Sequence, residues 1–325
     1  MAVILSSIAN LLLFALIGYI LTKLGKLNAE HAKILSALEV WVFLPCKMFR
    51  GFSSTFNMDY LRSKYAILIS GIAILVISVS IATLLVPRFV KEKRDRPIIK
   101  YSVLISNYGY IGYAMCESVY GSAAMSDMMF AALPFSIYVY TEGYRMLTGQ
   151  EKISVKRMIN PIFVAIFIGC FFGITSLSLP SLPSASDAVL YASMSPVEIF
   201  LGVVNKITID ASACMAPVSM LLAGITVAEF PVKEMLSDKR VYAVAFIKML
   251  VFPIAVILIL SQFLPKSFVI PLSMLFLVPC GLNTVVFPKM CGGNYKLGAS
   301  IAFVSILVSI ATMPLCMKII DLVCK

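Results

Sequence analysis

Ser102–Ser122, SVLISNYGYIGYAMCESVYGS, and Ser273–Gly293, SMLFLVPCGLNTVVFPKMCGG, are apolar runs interrupted at their centres by Asn, Gly and, in the second, Pro279. A run that crosses a bilayer as one smooth helix has no use for such residues. Each unpaired N–H or C=O in hydrocarbon loses its water partners, so a break persists only where the backbone lines a polar cavity or binds something. Two breaks at corresponding places in two halves of a chain are the sequence pointer to a solute-binding site at the bilayer midplane.

The rest of the composition puts these runs in a membrane. The chain has 325 residues, 60% of them hydrophobic and 13% charged, with a mean hydropathy of +0.96. Soluble domains average about 45–50% apolar and roughly 25% charged residues. This is therefore an all-α, polytopic membrane protein. The first apolar run, from Ala2, lacks a basic leader and is followed by Lys23 and Lys26, so it reads as a retained first helix. The net charge of +11 sits mainly in short loops between spans, and the bilayer rather than nucleic acid explains it. The eight Cys form no CxxC pair and most fall inside apolar runs, where a thiol packs as a small hydrophobe. His31 is the one histidine and lies in a loop, which argues against a His-based metal site or a Ser–His–Asp triad. The lack of a GxxxxGK[ST] loop argues against an ATP-driven pump, and no enzyme or cofactor is expected.

Runs of about 20 residues match the hydrocarbon thickness. Ten are present: roughly 3–22, 34–52, 66–86, 98–119, 128–147, 159–177, 199–227, 242–264, 269–287 and 297–319. Loops after spans 1, 3, 5, 7 and 9 carry eighteen Lys and Arg, against six on the opposite side with both ends. The positive-inside rule then places both termini outside the cell membrane. The short basic loop Thr148–Arg157 divides the chain into residues 1–150 and 151–325, five spans each, and an odd number forces the halves to be inverted. An ungapped comparison at offset 171 sets Ser102 on Ser273, Gly112 on Asn283 and Gly121 on Gly292.

The polar residues inside the spans are the candidates for function. Asn107, Gly109 and Gly112 break span 4, and Pro279, Gly281 and Asn283 break span 9. Interrupted helices leave half-helix N-termini facing inward, each partly positive and suited to a carboxylate. Lys47, just past Pro45 in span 2, reads as a partner for an anionic substrate, as a tethered cation in place of a coupling ion, or as a structural partner of Asp210. Arg50 is placed to snorkel outward. Lys206 and Asp210 are four apart, the spacing of an ion pair at a helix start, and Glu142 and Arg145 are three apart. Asp210, Glu117 and Glu142 are the candidate groups for coupling to a proton, and no metal site is expected.

The motifs in order resemble one family. IGYILTKLGKLNAEHAKILS (Ile17–Ser36), VFLP (Val42–Pro45), SNYGYIG (Ser106–Gly112), MAPVSMLLAGITVA (Met215–Ala228), PCGLN (Pro279–Asn283) and TMPL (Thr312–Leu315) follow the pattern of the auxin efflux carrier family in its short prokaryotic form, over nearly the whole length. The resemblance implies ten helices in two inverted five-helix repeats, with broken helices 4 and 9 crossing at midplane as in bile-acid symporters and sodium/proton antiporters. It also implies a scaffold of helices 1, 2, 6 and 7, a moving transport domain of helices 3–5 and 8–10, and a homodimer. The expected cargo is a small organic anion such as auxin, malate or malonate, with H+ or Na+ as possible coupling ion and Asn107 and Asn283 as crossover ligands. Tyr113 stands where the family commonly has Pro, Lys47 where it is usually apolar, and Pro288 with Cys291–Gly292 where it has Ala and Tyr-Gly. These departures favour one alternative, a membrane receptor that reuses the fold without transporting.

Overall fold

The computed structural model describes residues 2–152, 159–183, 192–290 and 295–324, and these are helical apart from one antiparallel bridge. Much of the central basic loop, part of the Ser178–Pro196 excursion and the Cys291–Gly292 pair lie outside the described residues. Helix α1 is Ala2–Lys23. After Gly25, Asn28 caps α2 (29–55) through its side-chain oxygen, which accepts from the amides of Glu30 and His31, while Nδ1 of His31 accepts from the Asn28 amide at 3.2 Å. The lone histidine thus completes a capping box. A π turn at Glu39–Phe43 precedes Pro45 and splits α2. Asn57 caps α3 (Met58–Phe89). Helix α4 is Arg96–Leu104, and a π turn at Tyr108–Gly112 opens α5 (108–120). Gly121, at φ 87° and ψ 173°, then turns the chain into α6 (122–148). Only glycine reaches that conformation without strain.

Asn160 and Pro161 start α7 (Pro161–Ile174), a cap followed by a residue that needs no N–H. Ser195 and Glu198 form a second capping box on α8 (Pro196–Ala228). Helix α9 (Lys239–Leu260) carries a π turn at Ile247–Val251. Helices α10 (Lys266–Leu277) and α11 (Asn283–Met290) are the halves of the second broken run, and α12 (Lys296–Val323) closes the chain. Among the described residues, five helices are long and apolar enough to cross a membrane: α3, the 113–148 stretch, α8, α9 and α12. Their outer faces are apolar, with Leu84 62%, Ile259 60% and Leu322 70% exposed, as a lipid-facing surface requires. Helix α1 packs on α8, α2 on α7 and α8, α3 on the 113–138 stretch, and α9 on α12.

The α1–α8 contact is among the most extensive between the described helices. It depends on two glycines facing opposite backbones. A Cβ at Gly224 would fall 1.9 Å from the carbonyl oxygen of Ala15, and one at Gly18 would fall 2.3 Å from that of Leu221. Small residues let membrane helices approach to backbone contact in this way.

The two interrupted runs meet at their breaks. The Asn107 amide donates to the Pro279 carbonyl at 2.7 Å, and the Gly281 amide donates to the Ile105 carbonyl at 3.2 Å, with Ser106 and Cys280 bridged between them. This is a local two-fold that sets Ser106 on Cys280, Ile105 on Pro279 and Asn107 on Gly281. The register is three residues beyond the offset of the sequence comparison, so Gly112 and Asn283 are not counterparts at the crossing. The Cys280 amide donates to Ser305 Oγ of α12 at 3.1 Å, and the Cys280 thiol to the Ser102 carbonyl at 3.3 Å. Backbone freed by each break is thereby repaired by the other run or by α12.

Three stability outcomes follow. Gly224→Val lowers the unfolding free energy by about 2 kcal/mol or more through overpacking. Gly109→Ala, which faces open space, leaves it within about 0.5 kcal/mol. Ser305→Ala leaves the buried Cys280 amide without its acceptor and costs about 1–3 kcal/mol. Thermal unfolding of the purified variants in detergent checks all three.

Candidate functional site

A cleft of about 550 Å³, counting its open mouth, lies against the crossing. Its floor is the broken backbone: Ile105, Ser106, Asn107, Tyr108 and Gly109 from the first run, with Gly281, Leu282 and Asn283 from the second. Its walls are Leu44 and Met48 of α2, Tyr113 of α5, Ser136, Val139 and Tyr140 of α6, and Ile162 of α7. None of these lining residues carries a charged side chain.

The polar groups it offers are neutral donors and acceptors. The Asn107 residue is 5% exposed, its side-chain amide forms no hydrogen bond among the described residues, and its carbonyl accepts from the amides of Ile111 and Gly112. Ser106 is 3% exposed, and its hydroxyl has no partner among the described residues. Asn283 donates from Nδ2 to the Tyr101 hydroxyl at 3.0 Å, which orients its amide. The Tyr108 hydroxyl and Ser136 Oγ are 3.1 Å apart, and the Tyr108 ring meets Tyr113 edge-on at 6.0 Å. Helices α5 and α11 begin at this floor, and the first amides of a helix have no partner within it. The cleft is therefore met by two helix N-termini, partly positive ends that suit an anion.

Of the residues expected at the site, Asn107, Gly109, Gly281 and Asn283 line this cleft. Gly112 does not, because a Cβ there would lie 2.7 Å from the end of Met128 and the residue serves close packing. Pro279 gives its carbonyl to Asn107, while its ring faces a second, apolar cleft of about 380 Å³. That cleft is lined also by Leu12 and Ala15 of α1, Ile111 and Met115 of α5, Met220 and Ala223 of α8, and Ile306, Ser309 and Met313 of α12.

The charged candidates lie elsewhere. Lys47 donates to Glu117 Oε2 at 2.6 Å, linking α2 to α5. It is not paired with Asp210, and it projects about 100° around the helix from its neighbour Met48, which faces the cleft. Asp210 accepts from Lys206 at 2.5 Å on the exposed face of α8. Glu142 holds Arg145 in a two-bond pair at 2.6 and 2.7 Å. Arg50 donates to Asn205 at 3.1 Å instead of reaching outward. Sequence reasoning missed Ser106, Tyr108, Ser136 and Tyr140, because one Ser or Tyr in an apolar run carries no signal of which way it faces. Lys248 is a further cation in mid-span.

Outside the spans, Arg240 clamps the α3–α4 loop to the start of α9. Its guanidinium donates to Asp238 at 2.7 Å, Asp95 at 2.9 Å and Glu92 at 3.1 Å. Hydrogen bonds from Arg240 hold the Asp238 carboxyl below its ordinary value, whereas burial pushes Asp95 up. The clamp ties down loops around the broken helices and offers no open face for a ligand.

Comparison with known proteins agrees with this architecture. Residues 3–156 match a family described as "Membrane transport protein". An uncharacterized transporter of Methanocaldococcus jannaschii is 26% identical over 221 residues, 59% of this chain and 69% of that one. An uncharacterized transporter of Schizosaccharomyces pombe is 25% identical over 131 residues, 40% of this chain but 28% of the yeast protein. The family match, the two transporter relatives and the long apolar helices agree on a membrane-embedded protein similar to membrane transport proteins.

Proposed function

We propose that the chain is a secondary active transporter of the elevator type that carries a small organic anion across the cell membrane through the cleft at the crossing. The observation that carries the reading is the pair of half-helix N-termini, with Asn107 and Asn283, facing a cleft without charged side chains. Each helix N-terminus is equivalent to about half a positive charge, so the two supply roughly the one unit that a carboxylate balances. The carboxylate would accept from the first amides of α5 and α11 and from the two Asn side chains, while the body of the anion meets Leu44, Met48, Tyr140 and Ile162.

The arrangement of the two clefts supports ten spans in inverted repeats. Counting α4 with α5 and α10 with α11 as single broken spans, the main cleft is lined by spans 2, 4, 5, 6 and 9. The apolar one is lined by spans 1, 4, 7, 9 and 10. Exchanging the halves, 1 for 6, 2 for 7, 4 for 9 and 5 for 10, converts one set into the other. Two clefts related by exchange of the halves are what a transporter built to expose one site to alternate sides would present. In this reading spans 1, 2, 6 and 7 are the scaffold and the rest moves, both termini lie outside, and the protein works as a homodimer with H+ or Na+ as possible coupling ion. The Lys47–Glu117 pair spans the boundary between scaffold and moving helices and would part during the motion.

The test is flux in proteoliposomes, with a panel of mono- and dicarboxylates under imposed proton and sodium gradients. One or more carboxylates move, and Asn107→Ala and Asn283→Ala each cut the rate more than about tenfold, the factor for about 1.4 kcal/mol. Folded protein that moves no carboxylate, or keeps its rate in both variants, contradicts the proposal. Binding without flux would point to the receptor alternative. Lys47→Met and Glu117→Gln leave anion affinity within about twofold and change the transport rate by less than about fivefold, since a partly exposed pair is worth about 0.2–1 kcal/mol. A loss of affinity above tenfold in Lys47→Met would make Lys47 a substrate ligand instead.

A further inference from the structure

Lys248 is fully buried, and its ammonium has no hydrogen-bond partner among the described residues. It sits in the π turn Ile247–Val251 of α9, where the wider turn directs it inward. Its Nζ lies over the faces of Phe252 and Phe276, 5.6 and 5.5 Å from the ring centres. Two aromatic faces repay only a small part of taking an ammonium out of water, so the charge needs a further negative counterpart.

That counterpart is in the backbone. The turn carrying Lys248 packs against both first half-helices, α4 and α10, and against α12. Phe276 is the penultimate residue of α10, and Cys280 lies in the break just beyond it. Cys280 in turn donates its thiol to the Ser102 carbonyl, in the last turn of α4. The crossing thus gathers two helix C-termini, ending at Leu104 and Leu277, beside one lysine. Each C-terminus is equivalent to about half a negative charge, together about one unit, which a single ammonium matches.

We infer that Lys248 is a positioning residue: a fixed cation that neutralises the two half-helix C-termini and completes the crossing electrically without a bound metal cation. The sequence contains no counterpart to it in the first half. The corresponding span, residues 66–86, holds no Lys or Arg, so one lysine serves both ends. This inference goes beyond the transport reading and does not depend on which anion is carried.

Purified full-length protein and its Lys248→Met, Lys248→Gln and Lys248→Arg variants are compared by thermal unfolding in detergent, in sodium chloride and in choline chloride. Met and Gln each lower the midpoint by about 5 °C or more. Arg, which keeps the charge, recovers at least half of that loss, and the wild type unfolds at the same temperature in both salts. Three outcomes overturn the inference. A Met variant as stable as the wild type, or more so, shows the buried ammonium to be unbalanced. An Arg variant that falls as far as Met and Gln, or fails to fold with them, shows that side-chain shape rather than charge is required. A wild-type midpoint that rises with sodium shows that a mobile cation, not Lys248, completes the crossing. Loss of carboxylate flux with all of these expectations met would reject the proposed function and leave Lys248 in place.

Discussion

Backbone hydrogen bonding inside the hydrocarbon is the constraint on which the rest of this structure depends. A helix broken at the middle of a membrane exposes donors and acceptors that have no water to turn to. Here two breaks are placed against each other, so that Asn107 pairs with Pro279 and Gly281 with Ile105. Ser305 takes the Cys280 amide, and the Cys280 thiol takes a carbonyl of α4. The demand for mutual repair fixes how the runs cross, which residues occupy the floor of the cleft, and why α12 must lie alongside.

The crossing also sorts charge. Four half-helix ends converge, and they fall into two kinds. The beginnings of α5 and α11 face the cleft, where nothing of the protein's own neutralises them. The ends of α4 and α10 face the protein interior, where Lys248 is buried. One kind is left for a ligand and the other is closed by a side chain. In this account the protein holds its binding energy in oriented backbone and neutral amides rather than in a basic residue. A cation in the cleft would hold an anion through strong direct attraction, and a carrier must also release its cargo.

Much of this was legible in the residues, and the part that was not has physical reasons. The breaks stood out because Asn107, Gly109, Pro279 and Asn283 interrupt otherwise apolar runs. The register of the crossing did not, because identity between halves compares side chains whereas the pairing is made by backbone atoms, and these settle three residues further along. Lys47 drew attention as a cation near the site, yet it pairs with Glu117, seventy residues on in the chain and close only in the fold. Lys248 carried the same signal, and its role depends on two helix ends that lie beside it only once the runs cross. Tyr108, Ser136 and Tyr140 became visible as lining only when α5 and α6 were set against the break.

The most direct test of the central claim is an experimental structure with a bromine-labelled small carboxylate bound, the label located by its anomalous scattering. The account predicts the carboxylate at the floor of the cleft, its oxygens about 3 Å from donors at the start of α5 or α11 and from the Asn107 or Asn283 amide, with no metal ion beside Lys248. A carboxylate seated against Lys47 with that floor empty, or a cation at the ends of α4 and α10, would contradict it.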